Sequence, residues 1–177
     1  MPGPVPASVD PARFRAAMAR WATGVAVLTA RDAGTDAGLT VNALLSVSLA
    51  PPTLLASLAT DADTLPVVER SGYFGVSFLA ADMRPVSERF ARTLPPAATF
   101  AGLAVHRGPH GTALIDGALA VLECRVVSRT PAFDHVLLLG EVVHEEAARD
   151  APPLVYFRSG YAEPQGPDLL RLGAGRP

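Results

Sequence analysis

A chain of 177 residues, 49% hydrophobic and 18% charged, is long enough for one domain with a substantial core, and its composition argues against extended disorder. The net charge of −2 leaves no basic surplus for nucleic acid, no apolar run reaches membrane-spanning length, and Met1 to Val9 lacks the pattern of a secretory signal. We therefore expect a cytoplasmic protein that binds neither nucleic acid nor membrane. Its single cysteine, Cys124, excludes an internal disulfide.

The first predicted element is a helix that begins at Asp10-Pro11, where Asp10 caps the first turn and Pro11 suits the first helical position. Phe14, Ala17, Met18 and Trp21 share one face as a packing surface, and Gly24 can end the helix. The other predicted elements are strands over 25–29, 39–50, 53–58, 73–79, 103–107, 118–128, 135–145 and 154–158, helices over 63–70 and 82–92, and a loop over 31–38.

Many short strands with few helices predict a mainly β fold, a closed or nearly closed barrel with peripheral helices. The proline and glycine clusters punctuate loops and leave no convincing interior linker. We expect one domain over residues 10–162, with flexible termini at 1–9 and 163–177.

The segment from Leu39 to Ala50 alternates between two kinds of side chain. One set is apolar and predicted to be buried: Val41, Ala43, Leu45, Val47 and Leu49. The other face carries four short polar side chains, those of Thr40, Asn42, Ser46 and Ser48. That face is either a solvated strand surface or a site against which a flat ligand lies.

Several further segments form an ordered set along the chain. They are Ala22-Thr23-Gly24-Val25, Leu28-Thr29, Leu39-Thr40-Val41-Asn42, Ser46-Val47-Ser48-Leu49-Ala50-Pro51-Pro52, Ser71-Gly72-Tyr73-Phe74-Gly75-Val76, Glu88-Arg89-Phe90-Ala91, Ala118-Leu119-Ala120-Val121-Leu122-Glu123-Cys124, Asp134-His135, Leu139-Gly140-Glu141-Val142, Leu154-Val155-Tyr156-Phe157-Arg158 and Gly160-Tyr161. Together and in this order they resemble the flavin reductase family, from about Phe14 to Tyr161.

The resemblance implies a six-stranded antiparallel split β-barrel of the FMN-binding type, with a few peripheral helices. It further implies a homodimer with flavin at the subunit interface. The implied activity is that of an NAD(P)H:flavin oxidoreductase, which passes hydride from NADH or NADPH to FMN, with FAD or riboflavin as other acceptors. Reduced flavin would then serve a separate flavin-dependent monooxygenase.

The resemblance also assigns site residues. Those expected along the flavin ring and ribityl chain are Thr40, Asn42, Ser46, Val47 and Ser48, and those expected along the phosphate are Ser57, Ala59, Thr60 and Thr64. His135 would lie near the nicotinamide as the catalytic candidate, although a histidine after Asp134 is also compatible with a loop residue paired to its neighbour. Phe90, Arg158 and Tyr161 would pack beside the flavin or nicotinamide.

The expected phosphate loop is acidic, because Asp61 and Asp63 lie within it. Carboxylates repel a phosphate unless other groups intervene. Backbone donors at the helix start near Thr64 could do so, as could a cation such as Arg84, Arg89 or Arg92.

Other residues are expected to lie outside the site, and the histidines among them are expected to be surface groups. His106, His110 and His144 lack metal-ligand spacing, so no metal site is expected, and Cys124 is expected to be buried and inert. Two other functions remain open: a split-barrel flavin oxidase or oxygenase acting on a small substrate, and a non-catalytic flavin-binding protein.

Overall fold

The computed structural model describes residues 9–147, 149–162 and 164. In this part of the chain the α-helices are Pro11–Met18 (α1), Leu65–Ser71 (α2), Arg84–Phe90 (α3) and Pro96–Phe100 (α4), with a short 3-10 helix at Ala81–Met83. The predicted flexible termini, 1–9 and 163–177, lie outside the described residues except for Val9 and Pro164. No helix within the described ranges has the length and apolar character to cross a membrane.

The first helix begins as predicted and ends early. The Asp10 side chain accepts hydrogen bonds from the backbone N–H groups of Ala12 and Arg13, so the predicted cap is confirmed. The helix ends at Met18, not at Gly24, and its predicted packing face is exposed in the described chain, with Trp21 70% exposed. The period-3.6 pattern therefore marks an apolar surface that the described residues do not cover.

Strands dominate the rest of the described chain. They are Thr23–Gly24 (β1), Ala26–Asp32 (β2), Thr35–Val41 (β3), Leu44–Leu49 (β4), Pro52–Ala59 (β5), Tyr73–Phe78 (β6), Val105–Arg107 (β7), Ala113–Ile115 (β8), Ala120–Ala132 (β9), His135–Ala147 (β10), Val155–Phe157 (β11) and Gly160–Ala162 (β12). Among the described residues the main sheet contains seven strands, in the order β3-β2-β6-β9-β10-β5-β4, and every neighbouring pair is antiparallel. The predicted mainly β antiparallel fold is confirmed, with seven strands in this sheet instead of six.

Two local predictions are wrong. Residues 31–38 are not a loop, because β2 and β3 form a hairpin that pairs Asp32 with Thr35. Residues 39–50 are not one strand, because the chain leaves the sheet after Val41 and re-enters it at Leu44 on the opposite edge.

Two hydrophobic clusters lie on the two faces of the curled sheet. The inner cluster includes Leu28, Phe74 and Leu138 and is joined by Leu65 and Val68 of α2. The outer cluster contains Val27 and Val121 with residues of α3 and of the β7–β8 hairpin. Because successive residues of a strand point to opposite faces, neighbours such as Val27 and Leu28 belong to different clusters.

The strand β9 contributes two buried polar groups. Burial raises the pKa of the Cys124 thiol to about 12, with a smaller effect from the Glu123 carboxylate, so the predicted buried, inert cysteine is confirmed. Glu123 is fully buried, and its carboxylate accepts hydrogen bonds from the backbone N–H groups of His110 and Thr112 and from the Thr112 hydroxyl. This carboxylate therefore holds the β7–β8 loop against the sheet.

Gly140 offers a test of the packing inside the barrel. A Cβ at this position would lie 2.5 Å from Cζ of Phe74 and 2.9 Å from Cβ of Cys124. Gly140→Ala should therefore lower the free energy of unfolding by about 1–3 kcal/mol, the usual cost of overpacking a core. Gly24→Ala is the matched control, because no heavy atom of the described residues lies within 4 Å of a Cβ there. Urea unfolding of both variants measures the difference, and equal stabilities would contradict the packing described.

Candidate functional site

The candidate site lies where the two edges of the main sheet meet. Asn42 and Ala43 alone connect β3 at one edge to β4 at the other. Three residue steps span at most about 11 Å, whereas seven strands spaced at about 4.8 Å would separate the edges by about 29 Å in a flat sheet. The sheet must therefore curl until its edges approach. We call the line between β3 and β4 the seam.

Three adjoining cavities form a groove beside β3, which we call the seam groove. Its acidic section, about 440 Å³, is lined by residues 37–39, 61–64, 90–94, 96, 99 and 100. Its middle section, about 320 Å³, is lined by Val25, Thr40, Val41, Asn42, Ala91, Tyr156 and Tyr161, and it shares Ala91 with the acidic section. Its apolar section, about 510 Å³, is lined by residues 21–26, 42, 44, 78, 79, 119, 153 and 154, and it shares Val25 and Asn42 with the middle section.

The polar wall of the middle section depends on Ser87 of α3. Its backbone carbonyl accepts a hydrogen bond from the Thr40 hydroxyl at 2.6 Å, and its side-chain Oγ lies 2.8 Å from the hydroxyl of Tyr161. The Arg84 guanidinium lies 5.2 Å from the centre of the Tyr161 ring. The Thr40 hydroxyl therefore already donates its hydrogen bond within the protein, and toward a ligand it can act only as an acceptor.

Asn42 has more capacity left for a ligand. Its Nδ2 donates to the Thr23 hydroxyl at 3.2 Å, while its exposed amide keeps a second N–H and a carbonyl oxygen. These groups lie where the middle and apolar sections join, so a flat ring there would meet both a donor and an acceptor.

The acidic section combines carboxylates with one cation. The exposed Asp61 and Asp63 line it, and so does Arg92, which forms no ion pair among the residues that the structure describes. Thr64 is only 2% exposed, and its hydroxyl makes no hydrogen bond within the described chain. An anion entering this section would therefore meet one free guanidinium and one available hydroxyl beside the two carboxylates.

The other groups that the sequence suggested for phosphate binding, the backbone N–H groups at the start of α2 and the side chains of Arg84 and Arg89, already have hydrogen-bond partners within the protein. At the start of α2 the N–H of Leu65 donates to the Ala62 carbonyl, Pro66 has no N–H, and the N–H of Val67 donates to the Thr64 carbonyl. The prediction of free backbone donors at this helix start is wrong at these positions. Arg84 pairs with Glu88, and Arg89 donates to the Ala101 carbonyl, so Arg92 is the cation that reaches the groove.

Apart from Thr64, the predicted phosphate residues and the predicted nicotinamide residue His135 lie on the β5 and β10 side of the seam. Ser57 and Ala59 of β5 alternate with buried core residues, so they point away from the core cluster, and Ala59 pairs with His135 across to β10. The backbone N–H and the hydroxyl of Thr60 both donate to the Asp134 carbonyl, at 3.0 and 3.2 Å. This arrangement fixes the β9–β10 turn next to the acidic section.

His135 is paired with its neighbour. Its Nδ1 lies 2.9 Å from Oδ1 of Asp134, and this hydrogen bond is the main cause that holds the pKa of the Asp134 carboxyl below its ordinary value. The pairing considered from the sequence is thus present, and it leaves Nε2 of the half-exposed imidazole for another partner.

The strand β4 differs most from prediction. Leu45, Val47 and Leu49 were expected to be buried, but they are 60%, 48% and 88% exposed. A register shift between Ser46 and Ser48 leaves Val47 as the extra residue of a β-bulge, and the Ser48 hydroxyl accepts from the backbone N–H of Ala50. Bulges of this kind disrupt the ladder and are common next to active sites.

The structure brings Thr40, Asn42, Thr64, Phe90 and Tyr161 together in the seam groove. Arg158 is not among them, because it lies in the turn between β11 and β12, where its backbone N–H donates to the Ala19 carbonyl beside α1.

Sequence reasoning missed α4 and Tyr156 as walls of the groove. A signal for α4 existed, because Pro96 occupies its first helical position.

These features fit a flavin. The groove offers apolar surface for a ring, Asn42 for ring heteroatoms, and Arg92 with Thr64 for a phosphate. Within the described ranges, no group of three or more His, Cys, Asp or Glu side chains could hold a metal ion.

Comparisons with known proteins agree with this chemistry. A sequence model described as "Flavin reductase like domain" matches residues 18–165. The actinorhodin polyketide dimerase of Streptomyces coelicolor is 41% identical over 88% of this chain and 87% of its own length. The reductase component of 4-hydroxyphenylacetate 3-monooxygenase from Thermus thermophilus is 39% identical over 84% of this chain and 93% of its own length. The solved Streptomyces globisporus C-1027 NADH:FAD oxidoreductase SgcE6, in complex with NAD and FAD fragments, superposes with a TM-score of 0.83 at 28% identity, covering 93% of this chain and 99% of that one.

The two carboxylates of the acidic section should weaken phosphate binding. Changing both Asp61 and Asp63 to serine should tighten FMN binding by about three- to tenfold at low salt, since exposed charges are screened and each is worth little. Riboflavin, which lacks the phosphate, is the matched ligand control and should bind with unchanged affinity. Titration of both flavins at low and high salt measures this effect. If the two affinities shift together, the phosphate does not lie in the acidic section.

Proposed function

The chain belongs to the flavin reductase family, and we propose that it is the reductase component of a two-component flavin monooxygenase system. It is an NAD(P)H-dependent flavin reductase that uses FMN or FAD and supplies the reduced flavin to a separate monooxygenase. The observation that carries this function is the groove along the seam, where a ring-sized apolar section is joined through the middle section to an acidic section that holds the Arg92 guanidinium and the Thr64 hydroxyl.

In the proposed arrangement the flavin ring lies at the seam, against Asn42 and the bulged strand β4. The phosphate end points toward Thr64 and Arg92, where a buried hydroxyl and a guanidinium can bind it. Phe90, whose ring packs edge-on against Phe100 at 5.1 Å, forms an apolar wall of this section.

Bound flavin supplies the redox chemistry, accepting a hydride from the reduced nicotinamide. The chain has to hold the two rings in contact and exclude water, so positioning is its main contribution to the rate. His135 is the proposed nicotinamide contact. Its Nδ1 is fixed by Asp134, which orients the imidazole and leaves Nε2 to bind the coenzyme.

We also propose that the site is completed by a second copy of the chain. Three large apolar side chains of β4 and three on or next to α1 (Phe14, Met18 and Trp21) are exposed, and Trp21 and Leu44 border the same section of the groove. So much exposed apolar surface beside a site is typical of a protein interface. A homodimer that buries β4 would also cover the open edge of the sheet at the seam.

The reductase function is tested by NADH oxidation. The purified protein with NADH and catalytic FMN should consume NADH far above the rate without protein, with oxygen reoxidising the released flavin. The same assay without added flavin should return to background, because the flavin turns over as a substrate. Flavin binding without NADH consumption, with FMN, FAD and riboflavin and with NADPH as well, would instead indicate a carrier and would contradict the proposed reaction.

The homodimer is tested at β4. Light scattering at micromolar concentration should give twice the chain mass, and Leu49→Asp should raise the dimer dissociation constant at least about tenfold, since it places a charge in an apolar contact. Val127→Asp is the matched control, because this half-exposed valine lies on β9. A monomer in the unaltered protein, or equal weakening by both substitutions, would rule out β4 as the interface.

A further inference from the structure

The tip of the β9–β10 hairpin contains an unusual residue. Ala132 pairs with His135, so Phe133 and Asp134 form a two-residue connection, and Phe133 has a φ of +59°. Hairpins of this kind favour glycine where φ is positive, because a bulky side chain in the left-handed region meets its own backbone. Phe133 is also fully exposed, so its ring gains nothing from burial against the residues that the structure describes.

The tip is nevertheless held in one position. Both donors of Thr60 bind the Asp134 carbonyl, and β10 continues into pairing with β5 at Ala59. Residues 61–64, which follow Thr60 directly, line the acidic section of the seam groove. Phe133 therefore presents a phenyl ring on a rigid support at the rim of that section, two residues from His135.

We propose that Phe133 is a positioning residue for the nicotinamide coenzyme, stacking against one of its two ring systems, the nicotinamide or the adenine. The inference rests on the proposed function, which places the coenzyme at His135. The ring lies outside the groove lining, so its ligand must extend past the groove, as a dinucleotide with a ring at each end can. Aromatic side chains bind bases through their faces with little dependence on base identity. Strained backbone that is retained beside a site points to a functional role, since the fold itself would favour glycine here.

The test compares two hairpin tips. Phe133→Gly removes both the ring and the backbone strain. Ala33→Gly is the matched control, because Ala33 has a φ of +47° and is the first residue of the two-residue connection between Asp32 and Thr35, in a different hairpin. Both variants should unfold at an equal or higher urea concentration than the unaltered protein. Phe133→Gly alone should raise the KM for NADH by about three- to tenfold, the range for one exposed aromatic contact.

Further measurements make the assignment specific. Phe133→Tyr, which keeps the ring, should restore the KM for NADH to within about twofold, while kcat and the KM for FMN stay nearly constant in all variants. An unchanged KM for NADH in an active Phe133→Gly enzyme overturns this inference alone. If Phe133→Gly has a lower mass in light scattering than the unaltered protein, the ring belongs to a subunit interface and the inference is overturned. If the variant unfolds at a lower urea concentration, the ring stabilises the fold and the inference is overturned as well. Absence of FMN-dependent NADH oxidation in the unaltered protein overturns the proposed function and this inference with it.

Discussion

The two-residue link between β3 and β4 is the constraint on which the rest of the structure depends. Because Asn42 and Ala43 have to bridge the two edges of the main sheet, the sheet curls, and its interior encloses the cluster around Phe74 and Leu138. The backbone N–H of Ser57 on β5 donates to the Ala43 carbonyl, so the β4–β5 pairing extends into this link and holds it on the β4 side of the seam. The seam is consequently a place where strand edges meet without a full ladder, and backbone and side-chain groups there remain available to a ligand.

The outer layer converts this seam into a groove. Ser87 is the point where α3, β3 and β12 converge, through the Thr40 hydroxyl on its carbonyl and the Tyr161 hydroxyl on its side chain. Ser87 is fully buried, so these bonds are shielded from competing water and fix the distance between helix and strand. The groove walls are thus set by interactions that the ligand does not make, which is how a scaffold preorganises a site.

Charge and exposure divide the groove into functional regions. Among the described residues, the acidic section carries Asp61 and Asp63 against one guanidinium, that of Arg92, a balance that would permit an anionic ligand to be released. A reductase that hands its flavin to a separate monooxygenase requires such release. The apolar section, bordered by Trp21 and Leu44, opens beside the exposed side chains of β4, so a second copy placed there would complete the enclosure.

The amino-acid sequence by itself determined the fold class, the helix cap at Asp10, the buried cysteine and the ordered motifs that identify the family. These features depend on local spacing and on residue chemistry, which the linear order of the chain contains. The tertiary structure decided which side chains of residues 44–49 are exposed and where the predicted strand over 39–50 breaks. It also decided that the Thr40 hydroxyl donates a hydrogen bond to the Ser87 carbonyl. Alternation shows that the two faces of a strand differ, but not which one is covered. That depends on partners far away in the chain, such as the β4 pairing with β5, and in the proposed dimer on a second molecule.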